Sequence, residues 1–321
     1  MIEFTVIIAT CDRPERLERT LSHVAVCMEK AGAPSLIVAD NAAAKPAEET
    51  VRRFSGDVRF HVRYMRTPPR NKAKALNAAV GHAGTAWLAF TDDDTLPIAD
   101  WLSEAAAFAA HGDCRVFGGR IAAGEPEQPL PRWLKSNAAG EMPGHGIFVR
   151  YSPRSSSGLL GAADRVPFGA NVFVRRDVFR QFGPYDESLW ELCGRAALGA
   201  EDGEFGARLQ KAGEPIGFCH EALVVHPVNH ERCSFLKQVD LAYRYGWRDP
   251  IVFYERGRPL VEPYRLGLAA RWTGRSALAW LRGDSAGAFE TTLKAARCIG
   301  SISSRFSGSY RMRSKMEKEA G

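Results

Sequence analysis

The sequence predicts an α/β protein in which helices cover one mostly parallel sheet and a helical extension follows it. Strand and helix patterns alternate through the first 120 residues, which is the order that builds βαβ units. Strands such as Trp87–Phe90 are short apolar runs, which indicates a buried position. Residues 231–321 carry helix patterns instead, so we expect residues 1–230 to form the α/β domain.

The first strand is predicted at Phe4–Ala9, and a helix begins close behind it at Pro14. Proline is favoured in the first turn of a helix, because its missing N–H is not needed there. Apolar residues then recur at helical spacing, at Leu17, Leu21, Val24 and Met28. The apolar run Leu36–Ala39 predicts a second strand, and Glu48–Phe54 predicts a short helix.

The next four elements continue the same alternation. Residues Val58–Met65 alternate in polarity, which predicts a third strand. The alanine-rich segment Lys72–Ala83 predicts a helix, and the strand Trp87–Phe90 follows it. A further helix is predicted at Ala99–Ala110, which completes a set of parallel strands joined by helices.

Residues 122–166 have a different composition, in which glycine, proline and serine cluster around Trp133, Phe148 and Tyr151. A long irregular segment inside a compact domain is usually functional or mobile. We interpret it as a loop that faces a substrate, and a disordered insertion is the alternative.

Regular patterns return at residue 169 and deliver two more chemical groups. Glu201 and Asp202 open a helix over Gly203–Ala212, and His226 stands at the end of the last predicted strand. The remaining elements are a strand over 169–176, a helix at Asp177–Phe182, and strands at Pro215–Cys219 and Ala222–Val225.

Three consecutive acids, Asp92, Asp93 and Asp94, follow the apolar strand directly. Adjacent carboxylates repel one another, and a bound divalent cation removes the conflict because hard cations prefer carboxylate oxygens. Thr10 and Asp40 end two other predicted strands, and ligands bind at the carboxyl ends of such strands. The pattern favours a cation and phosphate site at this edge, with a solvated acidic turn as the alternative.

Several classes of protein are excluded or disfavoured. No G-x-G-x-x-G follows the first strand and no G-x-x-x-x-G-K-[ST] occurs, which argues against dinucleotide dehydrogenases and P-loop enzymes. The seven cysteines form no C-x-x-C pair, so we expect neither a disulfide framework nor a zinc ribbon, and a reducing cytoplasm is the expected location. The N-terminus lacks the pattern of a secretory leader, and no apolar run is long enough to span a membrane.

Together these segments resemble the family 2 glycosyltransferases, which are inverting enzymes that use nucleotide sugars and have the GT-A fold. The resemblance covers roughly residues 3–230 and implies a single Rossmann-like sheet. It rests on seven segments in the family's order: Val6–Thr10 with Arg13-Pro14, Asp40-Asn41, Lys74–Asn77, Asp92–Asp94, Gly169–Arg176, Phe182–Glu187 and Glu201-Asp202.

The resemblance implies a role for each matching residue. Asp202 matches the catalytic base, which removes the proton of the acceptor hydroxyl. Asp94, Asp92 and His226 match positions that bind the metal, expected to be Mn²⁺ or Mg²⁺. The nucleotide-binding positions correspond to Thr10, Asp40, Lys74, Asp92 and Asp93. This chain lacks the family's usual glycine in the loop before Leu76, so Lys72 is a further candidate for a phosphate contact.

The acceptor side is less readable. The resemblance makes residues 122–166 an acceptor-side loop, and Glu201, Trp133 and Trp190 are candidate acceptor contacts. For the two tryptophans the alternative is packing in the protein interior.

The function implied is metal-dependent, inverting transfer of a sugar from a nucleotide diphosphate, by default UDP, to a hydroxyl group. The acceptor would be a glycan or a lipid-linked sugar in the synthesis of cell-surface polysaccharide or glycolipid. Two alternatives remain: a sugar nucleotidyltransferase, and a non-catalytic protein that binds nucleotide or glycan. The first normally has a glycine-rich loop where this chain has Thr10–Pro14.

The C-terminal extension is basic, with thirteen Lys or Arg and six Asp or Glu from residue 255 onward. An amphipathic helix is predicted at 264–283 and a second helix at 285–299. Residues 264–318 could attach to an anionic membrane, which would place the protein at its inner face, or they could pack on the catalytic domain. No aromatic and basic motif accompanies the charge, so nucleic-acid binding is not expected.

Overall fold

A computed structural model describes residues 2–134, 146–197, 199–254 and 263–319. The described residues form two compact units. One unit comprises the described parts of Met1–Gly124, Val149–Glu187 and Gly199–Pro227, and the other those of Glu125–Phe148, Ser188–Leu198 and Val228–Gly321. The domain boundary predicted after residue 230 lies close to Val228, but the two earlier segments of the second unit were not predicted. The predicted acceptor-side loop 122–166 contributes to both units, and its residues 135–145 lie outside the described residues.

The described residues form a sheet with the strands β1 Phe4–Thr10, β2 Ser35–Asp40, β3 His61–Arg66, β4 Trp87–Asp92, β5 Leu96–Pro97, β6 Val116–Ala123, β7 Gly158–Leu159, β8 Asn171–Arg175 and β9 Ile216–His226. The helices are α1 Pro14–Ala31, α2 Glu48–Asp57, α3 Lys72–His82, α4 Trp101–Ala110, α5 Asp177–Phe182, α6 Ser188–Cys193, α7 Glu201–Lys211, α8 Phe235–Val252, α9 Pro263–Leu281, α10 Ser285–Ser304 and α11 Gly308–Glu319. Every element predicted before residue 111 is present, with ends shifted by a few residues.

The first unit is built on this sheet, and its strand order is β3-β2-β1-β4-β8-β6-β9-β5, with β7 beside β9. Strands β3, β2, β1 and β4 are parallel, β8 is antiparallel to both of its neighbours, and β6 and β9 are again parallel. The prediction of a mostly parallel sheet flanked by helices is therefore confirmed.

Strand β1 is buried along its whole length because both of its faces are covered. Val6 and Ile8 belong to the core on one face of the sheet, together with Leu17 and Leu21 of α1. Ile7 belongs to the core on the other face. Each fully buried Val, Leu or Ile side chain stabilises the fold by about 1.5–3 kcal/mol, so the apolar run specifies a central strand.

Strand β6 was not predicted, and its glycines explain both the omission and the structure. A Cβ at Gly119 would lie 2.3 Å from the Ala222 carbonyl oxygen and from the Asn171 amide nitrogen, so only glycine fits. The pairing of β6 with β9 shifts register next to Gly119. The Asn171 amide donates to the Arg120 and Ala222 carbonyls and accepts from the Trp101 indole, which fixes the irregularity. Strand β9 is therefore one continuous strand, whereas two separate strands were predicted for this segment.

Helices α8 to α11 follow one another along the chain in the second unit, which has a hydrophobic core of its own. Helices α8 and α10 approach closely at two glycines: a Cβ at Gly246 would lie 2.0 Å from the Arg297 carbonyl, and one at Gly300 would lie 2.1 Å from the Tyr243 carbonyl. Across the described residues, we find no helix with the length and apolar character needed to cross a bilayer.

Candidate active site at the carboxyl ends of the parallel strands

The ends of β1, β2 and β4 meet at one edge of the sheet. In the parallel register, Thr10 is paired with Asp40 and Ala9 is paired with Asp92. The structure thus confirms that these polar strand ends share an edge, which is where open α/β sheets bind ligands.

Asp93 lies beneath this edge and has no exposed surface. The Thr10 hydroxyl donates to its Oδ2 at 2.6 Å, and the Arg13 guanidinium donates to its other oxygen. Burial raises the pKa of Asp93 to about 6; Arg13 opposes this shift and the negative charge of Asp94 adds to it. Asp93 and Thr10 were both predicted to bind nucleotide. In the structure they are hydrogen-bonded to each other, and Asp93 positions the loop that follows β4.

Asp94 is the member of the acidic triplet that faces His226. The Arg13 guanidinium donates to Asp94 Oδ2 at 2.8 Å, and Arg16 Nη1 lies 3.6 Å from the same oxygen. His226 Nε2 lies 3.5 Å from Asp94 Oδ1, and the Asp94 side chain keeps 15% of its surface exposed. Cations and an imidazole therefore surround a carboxylate that remains accessible.

Asp92 turns toward a different partner, Lys72 at the first position of α3. Lys72 Nζ donates to Asp92 Oδ1 at 2.8 Å and lies 3.4 Å from Glu201 Oε1. Burial disfavours the charged ammonium, but Asp92, Glu201 and Asp202 outweigh this and raise the pKa of Lys72 well above its usual value. Burial also raises the pKa of Glu201, with Lys72 opposing the shift. Lys72 therefore joins the end of β4 to the start of α7.

Asp202 lies in the first turn of α7, and two backbone amides hold its carboxylate. The Gly169 N–H donates to Oδ2 at 2.7 Å, and the Gly203 N–H donates to Oδ1 at 2.7 Å. A Cβ at Gly169 would lie 3.4 Å from Asp202 Oδ2 and 3.5 Å from Lys72 Nζ, so both side chains converge on this residue.

Asp40 is fully buried, and its two oxygens are already occupied by protein donors. Oδ1 accepts from the Ala42 N–H at 2.7 Å, and Oδ2 accepts from the Ala47 N–H and the Tyr64 hydroxyl at 2.7 Å each. Arg66 Nη1 lies 3.2 Å from Oδ1. The carboxylate therefore organises the loop after β2, and this geometry argues against its predicted contact with a nucleotide base.

With the site described, comparison with known proteins identifies the family. A family model described as glycosyl transferase family 2 matches residues 5–183, which is more than half of the chain. The chain belongs to glycosyl transferase family 2. It is therefore a glycosyltransferase, as the seven segments predicted.

Two named proteins illustrate the relationship of this glycosyltransferase to its family. It is 28% identical to the succinoglycan biosynthesis protein ExoM of Rhizobium meliloti (strain 1021) over 280 residues, which are 85% of this chain and 82% of the relative. It is 22% identical to the glycosyltransferase AglE of Haloferax volcanii over 223 residues, which are 70% and 66% of the two chains.

Solved structures share its GT-A fold. The mannosyltransferase PcManGT of Pyrobaculum calidifontis, in complex with GDP-Man and Mn²⁺, superposes with a TM-score of 0.59 at 15% identity, covering 94% of this chain and 87% of that one. Residues 1–349 of S. aureus TarS, in complex with UDP-GlcNAc, give a TM-score of 0.53 at 13% identity, covering 99% and 92%.

The predicted metal ligands of this glycosyltransferase do not all come together. Among the described residues no group of three His, Cys, Asp or Glu side chains could hold a metal ion, because Asp92 is bound to Lys72 while Asp94 faces His226. Asp94 and His226 are the pair that faces each other, and the metal-binding role of Asp92 stays a prediction.

These two residues do fit a divalent cation. His226 Nδ1 lies 3.0 Å from the Pro227 carbonyl oxygen, which can only accept, so the ring proton belongs on Nδ1. In the neutral form of the ring, Nε2 then carries the lone pair and faces Asp94 Oδ1. Two acceptors that face each other at 3.5 Å are the arrangement that a cation between them would satisfy, and an imidazole with a carboxylate suits Mn²⁺.

Three other predicted residues of the glycosyltransferase have different surroundings. The Lys72 ammonium reaches the acids, and the Lys74 N–H is bonded to the helix-capping side chain of Asn71, while the nucleotide contact of Lys74 stays a prediction. Trp133 packs against Phe289, with ring centroids 4.3 Å apart, so its predicted stacking on an acceptor is replaced by packing in the second unit. Trp190 is half-buried on α6, and its acceptor role stays a prediction.

Sequence reasoning missed the functional importance of Arg13. Its guanidinium binds both Asp93 and Asp94, although these two acids lie 80 and 81 positions after Arg13 in the chain. The signal available was the position of an arginine directly after a strand end that faces an acidic triplet. Gly169 belongs to one of the segments that resemble the family, and in the structure its N–H donates to the Asp202 carboxylate.

Proposed function

We propose that this glycosyltransferase moves a sugar from a nucleotide diphosphate to a hydroxyl group, with inversion at the anomeric carbon and dependence on a divalent metal. The acceptor proposed is a glycan or lipid-linked sugar in the synthesis of cell-surface polysaccharide or glycolipid. UDP is the default nucleotide of the donor.

The observation that carries the proposal is the bridge made by Lys72. Lys72 binds Asp92, which is two residues from Asp94, and it also lies beside Glu201 and Asp202. The acidic triplet and the proposed base are thereby held at the same end of the sheet. Transfer requires this arrangement, because the leaving diphosphate and the incoming hydroxyl approach one anomeric carbon from opposite sides.

Asp94 and His226 would hold the metal, with diphosphate oxygens and water completing its coordination. The bound cation would supply Lewis-acid stabilisation of the negative charge that develops on the departing diphosphate. Arg13 and Arg16 orient Asp94, and they add positive potential where the phosphates would lie. Mn²⁺ is favoured over Mg²⁺ by the imidazole ligand.

Asp202 is the proposed general base. Its carboxylate is oriented by the Gly169 N–H and keeps further lone pairs free for a hydroxyl proton. As the acceptor oxygen bonds to the anomeric carbon, its proton passes to Asp202 and the bond to the diphosphate breaks. Because the leaving group departs from the opposite face, the configuration inverts. A base in this position contributes roughly 10²–10⁴-fold to the rate.

The comparisons support this proposal by analogy. PcManGT was solved with GDP-Man and Mn²⁺ and TarS with UDP-GlcNAc, so proteins of this fold bind nucleotide sugars with either base. ExoM is named for succinoglycan biosynthesis, which supports a polysaccharide acceptor. A sugar nucleotidyltransferase is disfavoured, because Thr10–Pro14 offers no glycine-rich phosphate loop. Both Asp94 and Asp202 are present, which disfavours a non-catalytic binding protein.

The proposal is tested with the purified chain, a panel of UDP and GDP sugars, and Mn²⁺. Thermal-shift measurements identify the donor, since a ligand that binds the folded state raises the melting temperature. Turnover of that donor is then followed with and without EDTA, and the anomeric configuration of the product is read by NMR. Release of nucleoside diphosphate with an inverted product supports the proposal. Release of pyrophosphate, retention of configuration or full activity in EDTA contradicts it.

A further inference from the structure

Helix α9 presents a broad apolar surface to solvent. The exposed fractions are 50% for Leu266, 45% for Leu278, 53% for Trp280 and 85% for Leu281. At 100° per residue these side chains, with Ala270 and Ala277, cover an arc of about 160° of the helix. Soluble proteins rarely leave a contiguous surface of this kind uncovered unless it binds something.

This surface is not the one that packs on the rest of the second unit. The opposite side of α9 contacts α10, where the Ser276 hydroxyl lies 2.6 Å from that of Thr292 and the Lys294 ammonium lies 4.6 Å from the Trp272 ring centre. Ser276 is the buried residue of α9. The Trp280 ring also lies 5.7 Å from the Phe235 ring, yet 53% of its surface stays exposed. Packing of the helix therefore accounts for only part of Trp280 and not for the outer leucines.

Three arginines border the apolar arc next to Leu278. Arg271, Arg275 and Arg282 fall within about 40° of one another on the helix, and all three are exposed. The guanidinium groups of Arg271 and Arg275 lie over the Trp272 ring, and the described structure pairs none of the three with a carboxylate. Their positive charge therefore faces solvent.

The same unit holds most of the exposed large apolar side chains of the described chain. Only Val26, Ile98 and Leu159 lie in the first unit, and the others lie from Leu236 onward. In α11, Met312 and Met316 are exposed one turn apart, and basic residues such as Arg311 and Lys315 lie beside them. The apolar and basic character thus extends beyond one helix.

We propose that the outer face of α9 docks on an anionic lipid surface. Its leucines and Trp280 would enter the interfacial layer, while Arg271, Arg275 and Arg282 would lie at the level of the headgroup phosphates. Exposed arginines beside a leucine-rich arc are the pattern of a helix that lies in a membrane interface, where the apolar side enters the lipid and the cations meet headgroup phosphates. The inference depends only on the helical unit, and it holds whichever donor or acceptor the enzyme uses.

Vesicle flotation of the full chain tests it. Phosphatidylcholine vesicles are compared with vesicles that also contain phosphatidylglycerol, at low and high salt. We expect binding to the anionic vesicles, weakened by salt because exposed charges are screened. Leu281→Glu should lower the partition constant about tenfold or more, because it places a charge in the apolar arc. Arg282→Glu should lower it at least about fivefold.

Matched controls separate docking from general effects of charge. Val26→Glu places the same charge at a 53% exposed apolar position of α1, and Arg59→Glu reverses an exposed charge in the first unit; both should bind vesicles as the wild type does. Circular dichroism and the melting temperature verify that each variant is folded. Equal binding of Leu281→Glu and Val26→Glu overturns the proposal. So does light scattering that shows a wild-type dimer which Leu281→Glu converts to monomer without any vesicle binding.

Discussion

Lys72 Nζ lies 2.8 Å from Asp92 Oδ1, so a helix that begins after β3 is tied to the acidic end of β4. The same ammonium lies 3.4 Å from Glu201 Oε1 at the start of α7. Three segments that are far apart in the chain therefore meet at one cation, and the catalytic geometry proposed here depends on it.

Replacing Lys72 with methionine should reduce transfer by at least about 10²-fold and lower the free energy of unfolding by about 3 kcal/mol, because the buried Glu201 and the partly exposed Asp92 lose their cation. Steady-state kinetics and urea unfolding measure the two effects. Lys72→Arg should restore part of both. Lys211→Met, at the exposed end of α7, is the matched control and should change each far less; an equal loss for both lysines would contradict the assignment.

Asp202→Asn should lower kcat by roughly 10²–10⁴-fold, because the amide cannot accept the proton of the acceptor hydroxyl. Binding of the nucleoside diphosphate, measured by calorimetry, should be unchanged, since the proposed base would contact the acceptor and not the nucleotide. Asp177→Asn removes another acid from a helix first turn and should leave kcat near the wild-type value. An active Asp202→Asn enzyme would require a different base.

Removal of the metal should abolish turnover, and added Mn²⁺ should restore it. In the wild type Mn²⁺ should also strengthen the binding of nucleoside diphosphate, because Asp94 and His226 would hold an ion that neutralises the phosphates. Asp94→Asn should lose most of this strengthening, as calorimetry with and without Mn²⁺ would show. The control Asp100→Asn alters an exposed acid and should keep it. If Mn²⁺ strengthens the binding of nucleoside diphosphate as much in Asp94→Asn as in the wild type, the metal binds elsewhere.

Asp40→Asn should act mainly on stability. Its carboxylate accepts from two backbone amides and from Tyr64, and an amide group would face these donors with one oxygen fewer. We expect a loss of about 2 kcal/mol in the free energy of unfolding, and about 1 kcal/mol for Tyr64→Phe, which removes one donor. The ratio of the affinities for UDP and GDP, measured by calorimetry, should stay the same as in the wild type. A change of nucleotide preference in the still-folded Asp40→Asn protein would support the base contact instead.

The stability of the protein should fall above about pH 8.5. Burial raises the pKa of Cys27 to about 12 and those of Cys114 and Cys219 to about 11. The unfolded chain releases these protons near pH 8.5 while the folded chain retains them, so rising pH favours unfolding. Each thiol should remove about 1.4 kcal/mol by pH 9.5. Urea unfolding at pH 7.5, 8.5 and 9.5 measures how the free energy of unfolding changes with pH. The variant in which all three cysteines are alanine should show a weaker pH dependence; an equal dependence in both proteins would contradict this origin.

The parallel half of the sheet could be predicted because its signals are local. Val6, Ile7 and Ile8 form an apolar run that is stable only when both faces are covered, and Pro14 marks the start of the next helix. Strand β6 escaped prediction, because Gly118 and Gly119 weaken a strand pattern, and each makes room for residues distant in sequence: Gly118 for Pro167 and Tyr151, and Gly119 for Asn171 and Ala222.

The order of chemical groups along the chain alone predicted a glycosyltransferase with an acidic site at the ends of β1, β2 and β4. Only the tertiary structure decided which acid does what: Asp92 turns to Lys72, Asp93 is buried under Thr10 and Arg13, and Asp94 faces His226. The physical reason is that consecutive side chains leave a strand end in different directions. The environment of each is then set by residues that only folding brings near, as the 131 residues between Asp94 and His226 illustrate.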